Sequence, residues 1–345
     1  METLVTKVVS EFLGAVSITD IVTLQSGLIN STYKIATNKG IFVLQKMNQK
    51  VFPNINSLLN NKTKTTQFLS EIGFPTVTFL ATKEGLLYSK LGEDIWQMSV
   101  YIPSFVKEKI ESPAMAEKAG IHLAQFHKIL LDFPIEQLEY TLPDFHNTPK
   151  RYTDFKSKLI SASKERLQNA SEEIEQLNYF YAKVASVALA IQEGKIPLRV
   201  VHNDTKISNM LFDAKGNIIC IIDLDTIMPG SLLHDVGDAL RSGTNTATEE
   251  EKDLTKVNFD ANIYESFIKG YTKEAHSFMT TKELESLPLS LPLLLFEQAC
   301  RFLSDYLDND SYYATTYEEH NLVRAKTQIH LLKQVFSYIK SIHNN

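Results

Sequence analysis

The stretch RVVHNDTKISNMLFD, Arg199 to Asp213, places a histidine, an aspartate and two asparagines between apolar flanks that read as short buried strands. Desolvating a carboxylate is costly unless partners, a metal or a substrate compensate for it, so a purely structural core does not favour these residues. The polar positions form H-x-D-x-x-x-x-N: His202, Asp204 and Asn209. Further on, IICIIDLDT ends a second apolar run in Asp223 and Asp225. The segment between, MLFDAKGNI, reads as a β-hairpin with its turn at Lys215-Gly216-Asn217, which brings Asp204, Asn209 and Asp223 to one end.

Such a group suits Mg²⁺, which prefers hard oxygen ligands, keeps several waters and is usually held by one or two carboxylates together with substrate phosphates. Asn209 and Asp223 supply that incomplete shell, and Asp204 is left to accept a proton from a hydroxyl. An aspartate followed by an asparagine within one loop is by itself a weak signal, because Asx residues organise turns. The second acidic strand end, arriving after a hairpin, is what a turn does not require.

The 345 residues suit about two domains or lobes of roughly 150 residues each. Hydrophobic residues make up 43% and charged residues 22%, an ordinary globular composition. The balance of 35 Lys+Arg against 41 Asp+Glu, a formal charge of -6 with no dense basic tract, argues against a broad nucleic-acid footprint. METLVTKVVSEFLGAV mixes charges into its apolar pattern, as an amphipathic helix does and a secretory signal does not. The most apolar stretch, LPLSLPLLLF, is interrupted by prolines and falls far short of roughly 18 to 20 residues for a membrane span. A cytoplasmic protein without membrane or nucleic-acid partners is expected. Cys220 and Cys300, each among apolar neighbours, read as core residues rather than a disulfide or metal pair.

Short β-type runs (DIVTLQS, STYKIATN, GIFVLQKM, GLLYSK, IWQMSVYI) surround one helical stretch near residues 55–71, predicting a mostly antiparallel sheet with one helix after the amino-terminal one. From PSFVKEK onward long helical periodicities dominate. The boundary is placed near Pro103, giving segments 1–103 and 104–345.

The HNDTKISN and IIDLD segments resemble the catalytic loop and metal segment of the aminoglycoside phosphotransferase-like kinases, relatives of the protein kinases. AGIHLAQFHKIL, ending at His127, and LLHDVGDALRSG, carrying Asp235, look like two further helices of that family. Closer still is a similarity to bacterial N-acetylhexosamine 1-kinases, in FVLQKMN, FHNTPKRYTDFK, IPLRVVHNDTKISN, IIDLDTIMPGSLLHDVGD, RFLSDYL and EHNLVRAKTQI. The resemblance implies an α+β, two-lobed protein-kinase-like fold: a small antiparallel-sheet lobe (1–103) binding nucleotide, and a larger mainly helical lobe (104–345) carrying catalysis and the sugar. It implies ATP and Mg²⁺ as cofactors, with no obligate protein partner, and transfer of phosphate to the anomeric hydroxyl of N-acetylglucosamine or N-acetylgalactosamine.

By the same resemblance Asp204 is the base and Asn209 and Asp223 hold Mg²⁺. His202 supports the loop. Asp225 either extends the metal set or ties down the TIMPG turn, and Asp235 accepts backbone hydrogen bonds from the catalytic loop. Lys206 either fixes the base and offsets phosphoryl charge or is a solvated lysine. For the nucleotide, LQSGLINSTYKI offers Gly27, Asn30, Ser31 and Thr32 around the phosphates, with ATP in the cleft near Tyr101. Two departures stand out. Gln45 occupies the strand position where many relatives carry Lys or Arg, and the following helix has no acid before Glu71, so the Lys–Glu ion pair of protein kinases does not carry over. For the sugar, Arg301 and Asp305 sit one helical turn apart with Tyr312 nearby, a set suited to hydroxyl and acetamido recognition or to an intrahelical ion pair beside a core tyrosine. Alternatives are a kinase of the same fold acting on another sugar, an aminoglycoside or an amino alcohol, and a nucleotide-binding pseudoenzyme.

Overall fold

A computed structural model of the chain describes residues 2–24 and 29–343. They pack as two compact units: Met1–Val106 with Phe133–Pro143 and Ser208–Met228, and Lys107–Asp132 with Asp144–Ile207 and Pro229–Asn345.

The first unit opens with α1 (Glu2–Leu13), whose Val5, Val8, Val9 and Phe12 recur at helical spacing and are all buried. The strands β1 (Ile18–Leu24), β2 (Ser31–Thr37) and β3 (Gly40–Lys46) precede α2 (Ile55–Glu71), followed by β4 (Phe79–Leu80), β5 (Ser89–Leu91), β6 (Asp94–Val100) and β7 (Phe105–Val106). The main sheet is antiparallel in the order β1-β2-β3-β6-β4, with β5 also paired to β6. Side chains alternate across it. Ile35, Phe42, Leu44, Trp96 and Met98 form one core with the apolar stripe of α1, and Thr32, Gln45 and Gln97 lie in register on the other face. Helix α2 starts at Asn54, whose side chain accepts the Ser57 N–H.

The packing departs from the expected boundary at residue 103: the first break falls after Val106, and residues 133–143 and 208–228 join the first unit as well. The hairpin of β9 (Met210–Phe212) and β10 (Ile218–Ile221) belongs to the first unit, because β7 pairs with β9 through Phe105↔Phe212 and Val106↔Leu211. Paired on both edges, β9 is apolar and buried at every position. The hairpin turn falls at residues 213–217, where Asp213 accepts the N–H groups of Lys215 and Asn217 at 2.8 Å each.

The second unit is helical: α3 (Pro113–Leu130), α4 (Thr148–Ser161), α5 (Lys164–Asn169) and α6 (Ser171–Gln192), the short β8 (Arg199–Val201), and then the chain beyond β11 (Met228–Gly230), with α7 (Leu232–Gly243), α8 (Ala261–Ala275), α9 (Thr281–Ser286), α10 (Ser290–Leu307) and α11 (His320–His343). Two glycines let α3 and α8 touch backbone to backbone: a Cβ on Gly120 would lie 2.1 Å from the Phe267 carbonyl oxygen, and one on Gly270 2.1 Å from that of Glu117. Helix α10 is buried on nearly all sides and packs against α4, α6, α7 and α11. Its Pro292 lies in the first turn, where a missing N–H costs no intrahelical bond. No helix of the described residues is long and apolar enough to cross a membrane.

Candidate active site

In the second unit, β8 delivers its chain into the loop His202–Ile207, and Asn203 takes a left-handed φ of 64° just before Asp204. That conformation is uncommon outside glycine and needs surrounding bonds to hold it. Asp235, in the first turn of α7, accepts the N–H groups of His202 at 2.8 Å and Asn203 at 2.6 Å, as its sequence context suggests. Its carboxylate also meets His127 Nε2 at 2.9 Å, and His127 Nδ1 reaches the Tyr271 hydroxyl at 2.9 Å. Buried His202 accepts the Asp204 N–H on Nδ1 at 3.2 Å, so it is a loop support. Thr205 Oγ1 donates to the Asp235 carbonyl at 2.5 Å, and the Ile207 N–H donates to Ser242.

On this clamped loop Asp204 receives Lys206 Nζ at 2.9 Å. Burial alone would raise its pKa, but Lys206, with His202 and Arg241 behind it, holds the carboxyl below its ordinary value. Asp238, on α7, moves the other way: burial and the charge of Asp204 raise it, against the pull of Arg241, which donates to Asp238 Oδ1 from Nε at 2.9 Å and from the Nη2 nitrogen at 2.8 Å. Arg241 also binds Glu249. The shared environment thus pushes the two carboxyls apart, Asp204 downward and Asp238 upward.

A second support was not legible in the sequence. His146 presents Nδ1 to Glu297 Oε2 at 2.7 Å and Nε2 to the Asn203 carbonyl at 3.2 Å. Both ring nitrogens face acceptors, so the ring carries both protons. Glu297 also accepts from Thr148 Oγ1 at 2.5 Å. Burial would lower the His146 pKa, but Glu297 raises it; burial would raise Glu297, but His146 brings it down to about 2. The His146 contribution to stability is present below its ordinary 6.5 and fades as pH rises through the raised value; that of Glu297 is present above 4.5 and is lost as pH falls toward about 2. Glu297→Gln leaves a buried imidazolium without its counter-charge and is expected to cost about 3–5 kcal/mol at neutral pH. Denaturant melts from pH 7 to 2 check this: the variant should lose the part of the acid-induced destabilisation that Glu297 supplies.

Arg301 is half-buried on α10 with its guanidinium 5.6 Å from the Phe145 ring centre and 5.7 Å from that of Tyr313. Phe145 in turn stands edge-on to His146 at 4.6 Å, which links Arg301 to the Asn203–Asp204 loop. The intrahelical Arg301–Asp305 pair does not form: Asp305 accepts the N–H groups of Tyr312 at 2.8 Å and Tyr313 at 2.9 Å, and Asn321 Nδ2 at 2.8 Å. The carboxylate shapes the loop after α10 because backbone donors lie closer to it than the arginine. Tyr312 is 68% exposed and packs edge-on to Tyr313, so it is not a core tyrosine.

In the first unit the hairpin register puts Asn209 opposite Ile222, whose N–H donates to the Asn209 carbonyl at 2.9 Å, so Asn209 and Asp223 are neighbours across the strand ends. Asp223 has a left-handed φ of 62° and opens the single turn Leu224–Thr226. An amide oxygen and a carboxylate at adjacent strand ends fit the hard, incomplete shell of Mg²⁺. Asp225 is taken by other partners: Lys62 Nζ lies 2.5 Å from Oδ1 and Asn30 Nδ2 2.6 Å from Oδ2. Asn30 Oδ1 accepts the Asn48 N–H at 2.9 Å, so this side chain is committed within the protein. Ser31 is exposed at the start of β2, and buried Thr32 accepts Gln45 Nε2 at 3.4 Å. Gly27 lies outside the described residues. Tyr101 is at the opposite end of the sheet face, its ring 4.2 Å from Lys34 Nζ. The buried Lys62–Asp225 ion pair had no signature in the sequence.

An α+β arrangement with this loop and hairpin is the protein-kinase-like fold, and solved kinases share it. The chain superimposes on amicoumacin kinase hAmiN, solved with AMP-PNP, Ca²⁺ and Ami (TM-score 0.67, 12% identity, 95% of this chain and 92% of that one). It also matches a microcompartment-associated aminopropanol kinase (0.64, 13%, 99% and 98%) and choline kinase from Cryptosporidium parvum Iowa II (0.58, 14%, 94% and 91%). Residues 20–273 match the sequence profile of the phosphotransferase enzyme family APH, and the chain belongs to that family.

Proposed function

We propose that the chain is an ATP-dependent kinase that transfers the γ-phosphate to the C1 hydroxyl of N-acetylglucosamine or N-acetylgalactosamine, releasing the sugar 1-phosphate and ADP. The observation that carries the kinase reading is Asp204: a carboxylate kept ionised by Lys206 on a loop held by Asp235 and His146. Asp204 orients the acceptor hydroxyl and takes its proton as the oxygen attacks phosphorus in line, and Lys206 offsets charge on the migrating group. Asn209 and Asp223 hold Mg²⁺, which when bound neutralises phosphate oxygens. Ser31 and Thr32 line the phosphate side and Tyr101 the base side, while Asn30 keeps its segment in shape through Asp225 and Asn48.

Arg301 favours an uncharged acceptor. Its guanidinium lies beside two rings and donates to Gln298 Oε1 at 3.5 Å, a neutral partner that leaves its charge in place. An ammonium-bearing acceptor such as choline, aminopropanol or an aminoglycoside meets like charge there. A 2-acetamido sugar instead brings amide and hydroxyl oxygens that accept from the guanidinium, and Tyr312 covers it.

ADP release across N-acetylhexosamines, glucose, galactose, an aminoglycoside and choline, with products identified by phosphorus NMR, tests this reading. The acetamido sugars should lead, and preference for an amine over every hexosamine would sink it. Arg301→Ala should lower kcat/KM for the sugar roughly 10- to 100-fold, the scale of a lost charged hydrogen bond, with KM for ATP unchanged. Equal losses toward both substrates would make Arg301 a structural residue.

A further inference from the structure

Protein kinases place a lysine on the third strand, where this chain has Gln45. Directly opposed residues of antiparallel strands share a face, so Thr32, Gln45 and Gln97 form a polar row, and Phe79 lies on the same face through its pairing with Ser99. Gln45 leans on Thr32 at 3.4 Å. Gln97 is 1% exposed, and neither atom of its amide has a hydrogen-bond partner among the described residues. A buried amide left so is the kind of group that a polar ligand completes.

Lys62 of α2 reaches this face, its Nζ 4.9 Å from the Phe79 ring centre, and is 1% exposed. Its ion pair with Asp225 ends two residues past Asp223 in the chain. Lysine is almost never buried this fully unless paired, and apolar residues of similar volume commonly serve stability as well as a buried ion pair. An ammonium has three donors, and Asp225 Oδ1 accepts one of them.

We propose that Lys62 supplies from α2 the cation for the nucleotide phosphates that strand β3 lacks, and that Asp225 holds it for that task. The cation has moved from strand to helix, and the acid from helix to the metal segment. The inference rests on the kinase reading above but not on the sugar.

The test is calorimetric binding of Mg²⁺ with AMP-PNP, which needs no turnover and no acceptor. Lys62→Met should weaken binding about tenfold or more, the scale of a charge-assisted hydrogen bond to a phosphate. Because that change leaves Asp225 buried without its partner, Lys62→Met/Asp225→Asn removes both charges, and its melting curve reports whether it folds. It should fold and still bind weakly. Gln45→Lys/Lys62→Met returns the cation to β3 and should recover most of the lost affinity. Wild-type affinity in the folded neutral pair, or no recovery in the strand-lysine variant, overturns the proposal and leaves Lys62–Asp225 a structural ion pair. A wild-type chain that binds no nucleotide would overturn the kinase reading itself.

Discussion

Asp204→Asn should lose turnover by roughly 10² to 10⁴, the range for removal of a general base, while nucleotide affinity and folding stay close to wild type. The asparagine has the size of the aspartate, and its amide oxygen still accepts from Lys206, so the loop contacts of Asp235, His202 and His146 are untouched. Stopped turnover together with intact nucleotide binding separates a base from a scaffold residue. Asp238 is the rival carboxylate: it is buried, Arg241 occupies one of its oxygens, and the other has no hydrogen-bond partner among the described residues. Arg241 holds Asp238 Oδ1 through two nitrogens, which commits that carboxyl within α7, so Asp238→Asn should retain far more turnover than Asp204→Asn. The pH profile gives the same answer by another route. With the Asp204 carboxyl below its ordinary 3.8, kcat/KM should stay level from neutrality down through the usual carboxylate range and fall only beneath it. Near-normal turnover of Asp204→Asn would remove this residue as the base.

What the sequence made legible is local. The H-x-D-x-x-x-x-N loop, the hairpin turn at residues 215–217 and the helix at residues 55–71 follow from turn chemistry and periodicity within short windows. What it concealed is pairing at a distance. Lys62 and Asp225 are 163 positions apart, and His146 and Glu297 151. Nothing in the local pattern around any of the four names its partner, and only packing brings each pair together. Arg301 and Asp305 show the reverse error. Their helical spacing suggests a pair, yet the backbone amides of residues 312 and 313 claim the carboxylate, a contact that helical periodicity does not encode. The placement of residues 208–228 in the first unit likewise depends on β7 pairing with β9, and two exposed residues of β7 carry no pattern that announces it.

Asp223→Ala should abolish Mg²⁺-dependent turnover, a loss of at least roughly 10² to 10³, the cost of removing one preorganised electrostatic partner at a centre of developing charge. The local backbone needs a control, because Asp223 sits at a φ of 62°, which costs alanine about 1 kcal/mol or more. Asp223→Asn removes the charge while keeping an oxygen and a residue type at home in that conformation, so it should melt like wild type yet need far more Mg²⁺. Nucleotide binding measured with and without Mg²⁺ separates metal from fold: the wild type should gain affinity from the ion, and the alanine variant should show little difference between the two conditions. Asp225→Ala provides the contrast, since its carboxylate serves Lys62 and Asn30; it should destabilise the first unit and weaken nucleotide binding in both conditions. Full wild-type turnover in excess EDTA would contradict the metal assignment of Asn209 and Asp223 together.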